Sequence, residues 1–260
     1  MTPPLPPENQ YGHTKKLRFL IEEIGRHRAM LGRSVTVLDF GCGNGNAVSK
    51  YLIGEGVRYY GVDIHPPSLD YARAHFGGPA TAFLDHVPAG VSFDVIVYAD
   101  VLEHLADPAA VMRAHCAQLV ADGVVVGAVP NGRGPFEIEQ CIDRGLALSR
   151  LVAAASQVWR HVRGRPPPEE GEALPYHHES GHVIFFTRQA LRRVIADAGL
   201  DIVRFAHGAF VGASISGVFL SRSPGLLQWN VRIADRLPYW AVSTWYFTLR
   251  RRKDAPWPAR

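Results

Sequence analysis

The sequence has few of the features that mark secreted, membrane or zinc-binding proteins. It contains only three cysteines, Cys42, Cys116 and Cys141, and their spacing fits neither a disulfide framework nor a zinc motif, which favours a reducing compartment. No apolar run reaches the ~20 residues of a membrane helix, and the start Met-Thr-Pro-Pro-Leu-Pro-Pro lacks the basic and apolar segments of a signal peptide. We therefore expect a cytoplasmic protein.

The charge pattern argues against a nucleic-acid partner. The net charge is +4, but much of the excess lies around residues 150–165 and in the run 250–253, without interleaved aromatic residues. With 260 residues, of which 47% are apolar, the chain suffices for one large core. We expect a single domain over residues 1–260, with residues 1–10 and 254–260 as flexible tails.

A glycine-rich loop follows the first apolar strand. Residues 37–45 read Val-Leu-Asp-Phe-Gly-Cys-Gly-Asn-Gly, a pattern in which the backbone turns sharply at a strand end and leaves room for a ligand. A nicotinamide fingerprint would need a third glycine at position 46, where the chain has Asn46. The spacing therefore argues against a bound pyrophosphate.

Further strand ends carry polar residues in a consistent order. The strand Tyr59-Tyr60-Gly61-Val62 ends at Asp63, whose carboxylate can accept hydrogen bonds from both hydroxyls of a ribose. A strand over 93–98 runs into a Val-Leu-Glu-His-Leu segment at 101–105, and residues 182–187 form a His-x-x-Phe-Phe-Thr run.

Together these motifs resemble the class I S-adenosylmethionine-dependent methyltransferases, over roughly residues 35–250. The resemblance implies a doubly wound, Rossmann-like α/β fold with a seven-stranded sheet whose last strand is antiparallel. It also implies S-adenosyl-L-methionine as cofactor and an adenine contact near residues 85–86. The implied cofactor-binding residues are Asp39, Phe40, Gly41, Gly43, Asn44, Gly45, Asp63, Ile64, Asp85, His86, Ala99 and Asp100.

Strands and helices alternate along the chain as such a sheet requires. We expect a first helix before the first strand, a short helix over 46–53 and another over 66–75. Asp107-Pro108 predicts a helix start, with closure near Asp122-Gly123, before a fifth strand over 124–129. Thr187 predicts the cap of a later helix, residues 202–205 a sixth strand and residues 240–249 a seventh.

Nearly sixty residues between the fifth strand and Thr187 exceed what the core needs, so we assign residues 130–182 to a helical substrate cap. Within this cap, the pattern of apolar residues over 136–162 predicts one or two helices, which arginines flank. A basic helix packed on its own domain is the commoner case, and peripheral membrane contact through this cap or the C-terminal tail is the alternative. The expected acceptor is a hydroxyl of a small molecule, a sugar or a lipid-linked glycan.

Methyl transfer needs alignment and one base of near-neutral pKa. His104, beside the expected methyl position, is the candidate base, and His177 and His178 are alternatives from the cap. For His182, which precedes two phenylalanines, a role in holding the loop is favoured.

Asp100, Glu103 and His104 stand at i, i+3 and i+4, so on a helical turn they would share one face and could bind a divalent metal. We expect no metal, because the implied chemistry needs no Lewis acid. Two other classes stay open: an NAD(P)-dependent oxidoreductase, and a non-catalytic binding module on a methyltransferase fold.

Overall fold

The computed structural model describes residues 3–146, 174–175 and 181–252. In this part of the chain, seven strands form one sheet in the order β3-β2-β1-β4-β5-β7-β6. The first five strands are parallel, and β7 runs antiparallel to both β5 and β6. The strands are β1 (Val35–Phe40), β2 (Val57–Val62), β3 (Thr81–Leu84), β4 (Phe93–Ala99), β5 (Leu119–Pro130), β6 (Leu200–His207) and β7 (Thr244–Arg251). The expected doubly wound sheet with an antiparallel last strand is confirmed.

Helices cover both faces of the sheet. They are α1 (His13–Leu31), α2 (Ser49–Leu52), α3 (Pro66–Phe76), α4 (Pro108–Cys116), α5 (Pro135–Leu146), α6 (Arg188–Asp197), α7 (Ser214–Leu220) and α8 (Pro224–Ala234), with 3-10 turns at Leu102–His104 and Tyr239–Ala241. The expected caps are present, since the side chains of Asp107 and Thr187 accept from Ala110 N and Ala190 N.

The core lies on both faces of the central strands. Residues of β1, β4 and β5 are almost continuously buried, as apolar strands covered on two sides must be. On one face α1 and α3 pack against the sheet, and on the other α4 and α6 pack. The sheet therefore brings the carboxyl ends of β1, β2 and β4 to one edge.

Three element boundaries differ from expectation. Helix α4 ends at Cys116, not near residue 122, because Leu119 already pairs with Phe93 as the start of a long β5. The helix after the glycine loop is only Ser49–Leu52. Strand β7 begins at Thr244, since Trp240 lies in a 3-10 turn and its carbonyl faces the side chain of Asn131.

The sequence did not predict α7 and α8, which lie between β6 and β7. Helix α5, the first part of the expected cap, contacts the start of α7, where Glu139 Oε1 accepts from Ile215 N at 2.6 Å and from Ser216 N at 2.7 Å. Most of the cap, residues 147–173 and 176–180, lies outside the described residues, as does the whole of the expected C-terminal tail, 254–260. The cap boundaries therefore stay a prediction. Within the described ranges, every helix is too short or too polar to cross a bilayer.

Candidate active site

The glycine loop adopts a backbone that other residues rarely take. Gly41, Gly43 and Gly45 have φ angles of 78°, 55° and 77°. A Cβ on Gly41 would lie 2.5 Å from Val101 Cγ2, so this glycine permits a close approach between two loops. A Cβ on Gly43 would meet no atom within 4 Å. The loop thus borders open space at Gly43.

Asp63 supports this loop from the end of β2. Its Oδ2 accepts from Gly43 N at 2.8 Å, and its Oδ1 accepts from His65 N at 2.9 Å. Both bonds go to backbone amides, so the side chain is fixed in orientation. The carboxylate lies beside the open space at Gly43.

Asp39 lies behind the loop. Its carboxylate is 1% exposed and accepts hydrogen bonds from Tyr59 Oη and from Ser49 Oγ, the latter at 3.2 Å. Burial raises the pKa of Asp39 to about 6, although both hydroxyl donors oppose the shift. The structure therefore gives Asp39 a place under the loop and not at a cavity surface.

A cavity of about 550 Å³ opens at the strand ends beside the loop. Of the cofactor residues expected from the sequence, the cavity is lined by Phe40, Gly41, Gly43, Asp63, Ile64, Asp85, His86 and Asp100. The others, Asp39, Asn44, Gly45 and Ala99, do not line it. Asn44 instead donates from Nδ2 to Pro175 O at 3.0 Å.

The donors and walls of this cavity fit a nucleoside. Asp63 offers a carboxylate to a ribose diol, while Ile64, 75% exposed, offers an apolar surface at its mouth. Asp85 and His86, both exposed, also line the cavity, and the hydrogen bond between His86 Nδ1 and Asp85 Oδ1 at 2.5 Å lowers the pKa of Asp85. Sequence reasoning missed His115, whose pKa burial lowers to about 4, so the ring is neutral at pH 7.

The segment after β4 departs from the helical turn that its spacing suggested. Asp100 has a φ of 57°, and the 3-10 turn begins only at Leu102, so Asp100, Glu103 and His104 do not share one helical face. The carboxylate of Asp100 pairs with Lys16 Nζ of α1. No sequence motif pointed to Lys16, because the contact spans 84 positions.

Glu103 is buried beside this pair. Its side chain is 1% exposed, and its Oε2 has no hydrogen-bond partner among the described residues. Burial, and then the charge of Asp100, raise the pKa of Glu103 well above its usual range. Its backbone oxygen accepts from Val183 N at 2.9 Å and Ile184 N at 3.0 Å, which ties the end of the cap to the turn.

His104 lines the cavity beside the glycine loop and also a second cavity next to it. Its Nδ1 lies 3.1 Å from Gly181 O. A carbonyl oxygen only accepts, so Nδ1 carries the proton in the neutral ring and Nε2 is left as the basic nitrogen. The geometry thus selects the tautomer of His104.

His182, for which the sequence favours a role in holding the loop, lines the second cavity and lies beside His104. Its ring centroid lies 5.1 Å from that of His104, and its Nδ1 lies 3.7 Å from Glu137 Oε1. Burial, followed by the nearby His104, lowers the pKa of His182. His177 and His178, the alternative bases, lie outside the described residues.

The second cavity has a volume of about 470 Å³. It shares two lining residues, Asp100 and His104, with the first cavity. Its other walls come from the N-terminal segment and α1, the 3-10 turn after β4, the end of β5, α5, the end of the cap, the loop after β6 and the start of β7. The residues are Asn9, Tyr11, His13, Lys16, Glu103, Pro130, Phe136, His182, Ala209, Val211, Gly212, Ser243, Thr244 and Tyr246. It combines aromatic rings with histidines and one ammonium group.

The described residues also bring together a set that could ligate a metal ion. Glu103, His104 and His182 each offer one ligand atom, and these atoms lie within 4.8 Å of one another. The sequence spacing suggested Asp100 as the third ligand beside Glu103 and His104. In the structure the carboxylate of Asp100 pairs with Lys16, and His182 takes the third position.

Comparison with known proteins gives a consistent result. The family profile described as "Methyltransferase domain" matches residues 11–204. The chain is 34% identical over 105 residues to the ubiquinone biosynthesis O-methyltransferase of Methylobacterium sp. (strain 4-46), covering 37% of this chain and 41% of that protein. It is 30% identical over 151 residues to the protein of that name from Neisseria meningitidis serogroup A / serotype 4A (strain DSM 15465 / Z2491), covering 54% and 61%. The chain thus spans about half the length of these curated relatives.

Among solved structures, an S-adenosylmethionine-dependent methyltransferase from Clostridium acetobutylicum ATCC 824 has a TM-score of 0.54 at 12% identity and covers 92% of both chains. At that identity the likeness concerns the fold.

Proposed function

Because this chain belongs to the methyltransferase-domain family and is an S-adenosylmethionine-dependent methyltransferase, we propose that it methylates a hydroxyl group of a small molecule. The cofactor occupies the cavity beside the glycine loop, and the acceptor occupies the adjoining cavity. The observation that carries the proposal is the position of His104, which lines both cavities and has Nδ1 bound to Gly181 O.

In this proposal the cofactor residues divide into two groups. Asp63 accepts from the ribose hydroxyls, Gly43 gives the cofactor room to pass the backbone, and Asp85 with His86 borders the adenine. The second group does not line the cavity and instead shapes the glycine loop; it consists of Asp39, Asn44 and Gly45.

S-adenosylmethionine supplies an electrophilic methyl group, so the chain has to align the acceptor and remove its proton. Nε2 of His104 takes the proton from the acceptor hydroxyl, because Nδ1 is held as a donor by Gly181 O. Lys16 adds a positive charge near the acceptor oxygen, balanced at rest by Asp100. As His104 removes the proton, negative charge grows on the acceptor oxygen, and the ammonium of Lys16 stabilises that charge.

The size of the acceptor cavity supports a small molecule. A volume of about 470 Å³ lies within the range of ordinary ligand sites. Tyr11 and Phe136, whose ring centroids are 6.2 Å apart, provide an apolar wall. A sugar of one ring would also fit, whereas a lipid-linked glycan would extend beyond the mouth. The names of the curated relatives, which are O-methyltransferases, favour oxygen as the acceptor atom.

The test begins with calorimetry of S-adenosylhomocysteine and of NADH, where only the first should bind. The loaded enzyme is then incubated with paired acceptors that differ in carrying a hydroxyl or an amine on the same ring, and release of S-adenosylhomocysteine is measured. We expect turnover of hydroxyl members. Turnover confined to the amines would contradict O-methylation, and the binding result separates that outcome from an enzyme that lacks its cofactor.

A further inference from the structure

Exposed apolar side chains are frequent in the second half of the chain, and three of them lie on the adjoining helices α7 and α8. Most of the large ones in the described residues follow β5 or β6 in the chain: Ile138, Ile142, Val183, Phe185, Phe219, Leu226, Trp229, Tyr239 and Trp240. The methyl-transfer site accounts for none of the three on α7 and α8. Exposed apolar residues clustered in this way mark a contact surface.

Helix α8 shows the pattern most clearly. Asn230, Val231 and Ala234 face the protein and are buried. At 3.6 residues per turn, Leu226, Trp229 and Arg232 fall within about 120° of one another on the opposite side. Leu226 is 42% exposed and Trp229 is 49% exposed. An outward face of this composition is unusual for a helix in contact with water alone.

Basic residues accompany the apolar ones on α7 and α8. The guanidinium of Arg222 lies over the ring of exposed Phe219, 4.8 Å from its centroid. Between positions 207 and 243 the sequence has three arginines and one acidic residue, Asp235. Asp235 is paired with Lys15 at 2.7 Å, so it does not neutralise the arginines. The surface is therefore apolar and positively charged together.

This surface lies beside the acceptor cavity. The ring of Trp229 is 6.2 Å from that of Phe210, and the next residues, Val211 and Gly212, line the cavity. A partner bound at α7 and α8 would therefore lie close to the second cavity.

We propose that α7 and α8 dock on an anionic lipid surface. Phe219, Leu226 and Trp229 enter the headgroup region, and Arg222, Arg232 and Arg236 bind the lipid phosphates. The outward face of α8 combines Arg232 with the apolar Leu226 and Trp229, and Arg222 and Arg236 lie two residues before and two residues after this helix. Arginines beside exposed apolar side chains favour a partner that is both anionic and able to take up apolar groups, and an anionic lipid surface offers both. This contact differs from one through the basic cap or the C-terminal tail.

Flotation with phosphatidylcholine vesicles, with and without 30% phosphatidylglycerol, tests the proposal on the full chain. The wild type should float with the anionic vesicles and much less with the neutral ones. Leu226→Glu should reduce binding more than tenfold. Met30→Glu should not, because Met30 is exposed on a different helix, α1, and serves as the matched control. Arg232→Gln should reduce binding about fivefold, as expected for one basic residue at such a surface, while Arg58→Gln on β2 should have no effect.

Three results would overturn the proposal. One is failure of the wild type to bind anionic vesicles. Another is that Leu226→Glu and Met30→Glu lose binding equally, or that neither variant loses binding. Either outcome would mean that the lipid contact does not lie on α8. The third is a dimer in sedimentation that Leu226→Glu dissociates, because this face would then join two copies of the chain. Circular dichroism melting of both glutamate variants controls for folding.

Discussion

The glycine loop offers a paired test of how the chain binds its cofactor. Gly43 and Gly90 both have positive φ, 55° and 75°, and a Cβ at either would meet no atom within 4 Å. Only Gly43 lines the cofactor cavity. A valine at either position therefore strains the backbone, but only one of them obstructs the ligand.

The structure gives the expected magnitudes. A left-handed residue with a Cβ costs about 1–2 kcal/mol, so Gly43→Val and Gly90→Val should lower the free energy of unfolding by similar amounts. In Gly43→Val the new methyl groups lie in the cavity and disturb the bond from Gly43 N to Asp63 Oδ2. We expect affinity for S-adenosylhomocysteine to fall at least a hundredfold, or about 2.7 kcal/mol.

Urea unfolding measures the first quantity, and titration calorimetry with S-adenosylhomocysteine measures the second. Gly90→Val should bind as the wild type does. If Gly43→Val also bound normally, the loop would not face the cofactor, and the assignment of this cavity would be wrong. If both variants lost binding, the loss would reflect general destabilisation.

Three further predictions concern single side chains. Asp63→Ala should weaken S-adenosylhomocysteine binding by about 1.5–3 kcal/mol in calorimetry, because a charged acceptor is lost; unchanged affinity would refute its ribose role. His104→Gln should lower turnover about 100- to 10,000-fold with little change in cofactor affinity, while His75→Gln, on exposed α3, should not. For Asp39, the pKa of about 6 exceeds the ordinary 3.8, so its stabilising effect is present below pH 4 and is lost as pH rises through 6. Relative to Asp39→Asn, wild-type unfolding free energy should therefore fall by about 3 kcal/mol between pH 4 and pH 7, and parallel urea-denaturation profiles would contradict this.

A fifth prediction concerns the use of a metal ion. We expect full activity of metal-stripped enzyme in EDTA, with Glu103→Gln acting only through the position of the turn. Loss of activity on chelation, restored by Mg²⁺ or Mn²⁺, would instead assign Glu103, His104 and His182 to a metal site.

The sequence alone determined the sheet and most of the polar residues that line the cavity beside the glycine loop. Parallel strands alternate with helices, and each strand that ends near the cofactor carries its polar residue at a fixed place in the chain, as Asp63 does after β2. Local rules suffice here, because the glycine spacing and the strand end are adjacent in sequence. The sequence also predicted helix caps such as Thr187, because a capping side chain bonds to an amide only a few residues away.

Only the tertiary structure decided the acceptor side. Lys16 reaches Asp100, and His182 reaches His104, across 84 and 78 positions, and no spacing rule predicts such pairs. The left-handed backbone at Asp100 broke the helical spacing that the sequence suggested for positions 100, 103 and 104. The exposed face of α8 was likewise hidden, because an apolar residue in a sequence looks the same whether it packs inward or faces solvent. Burial and orientation arise only when the whole chain is folded.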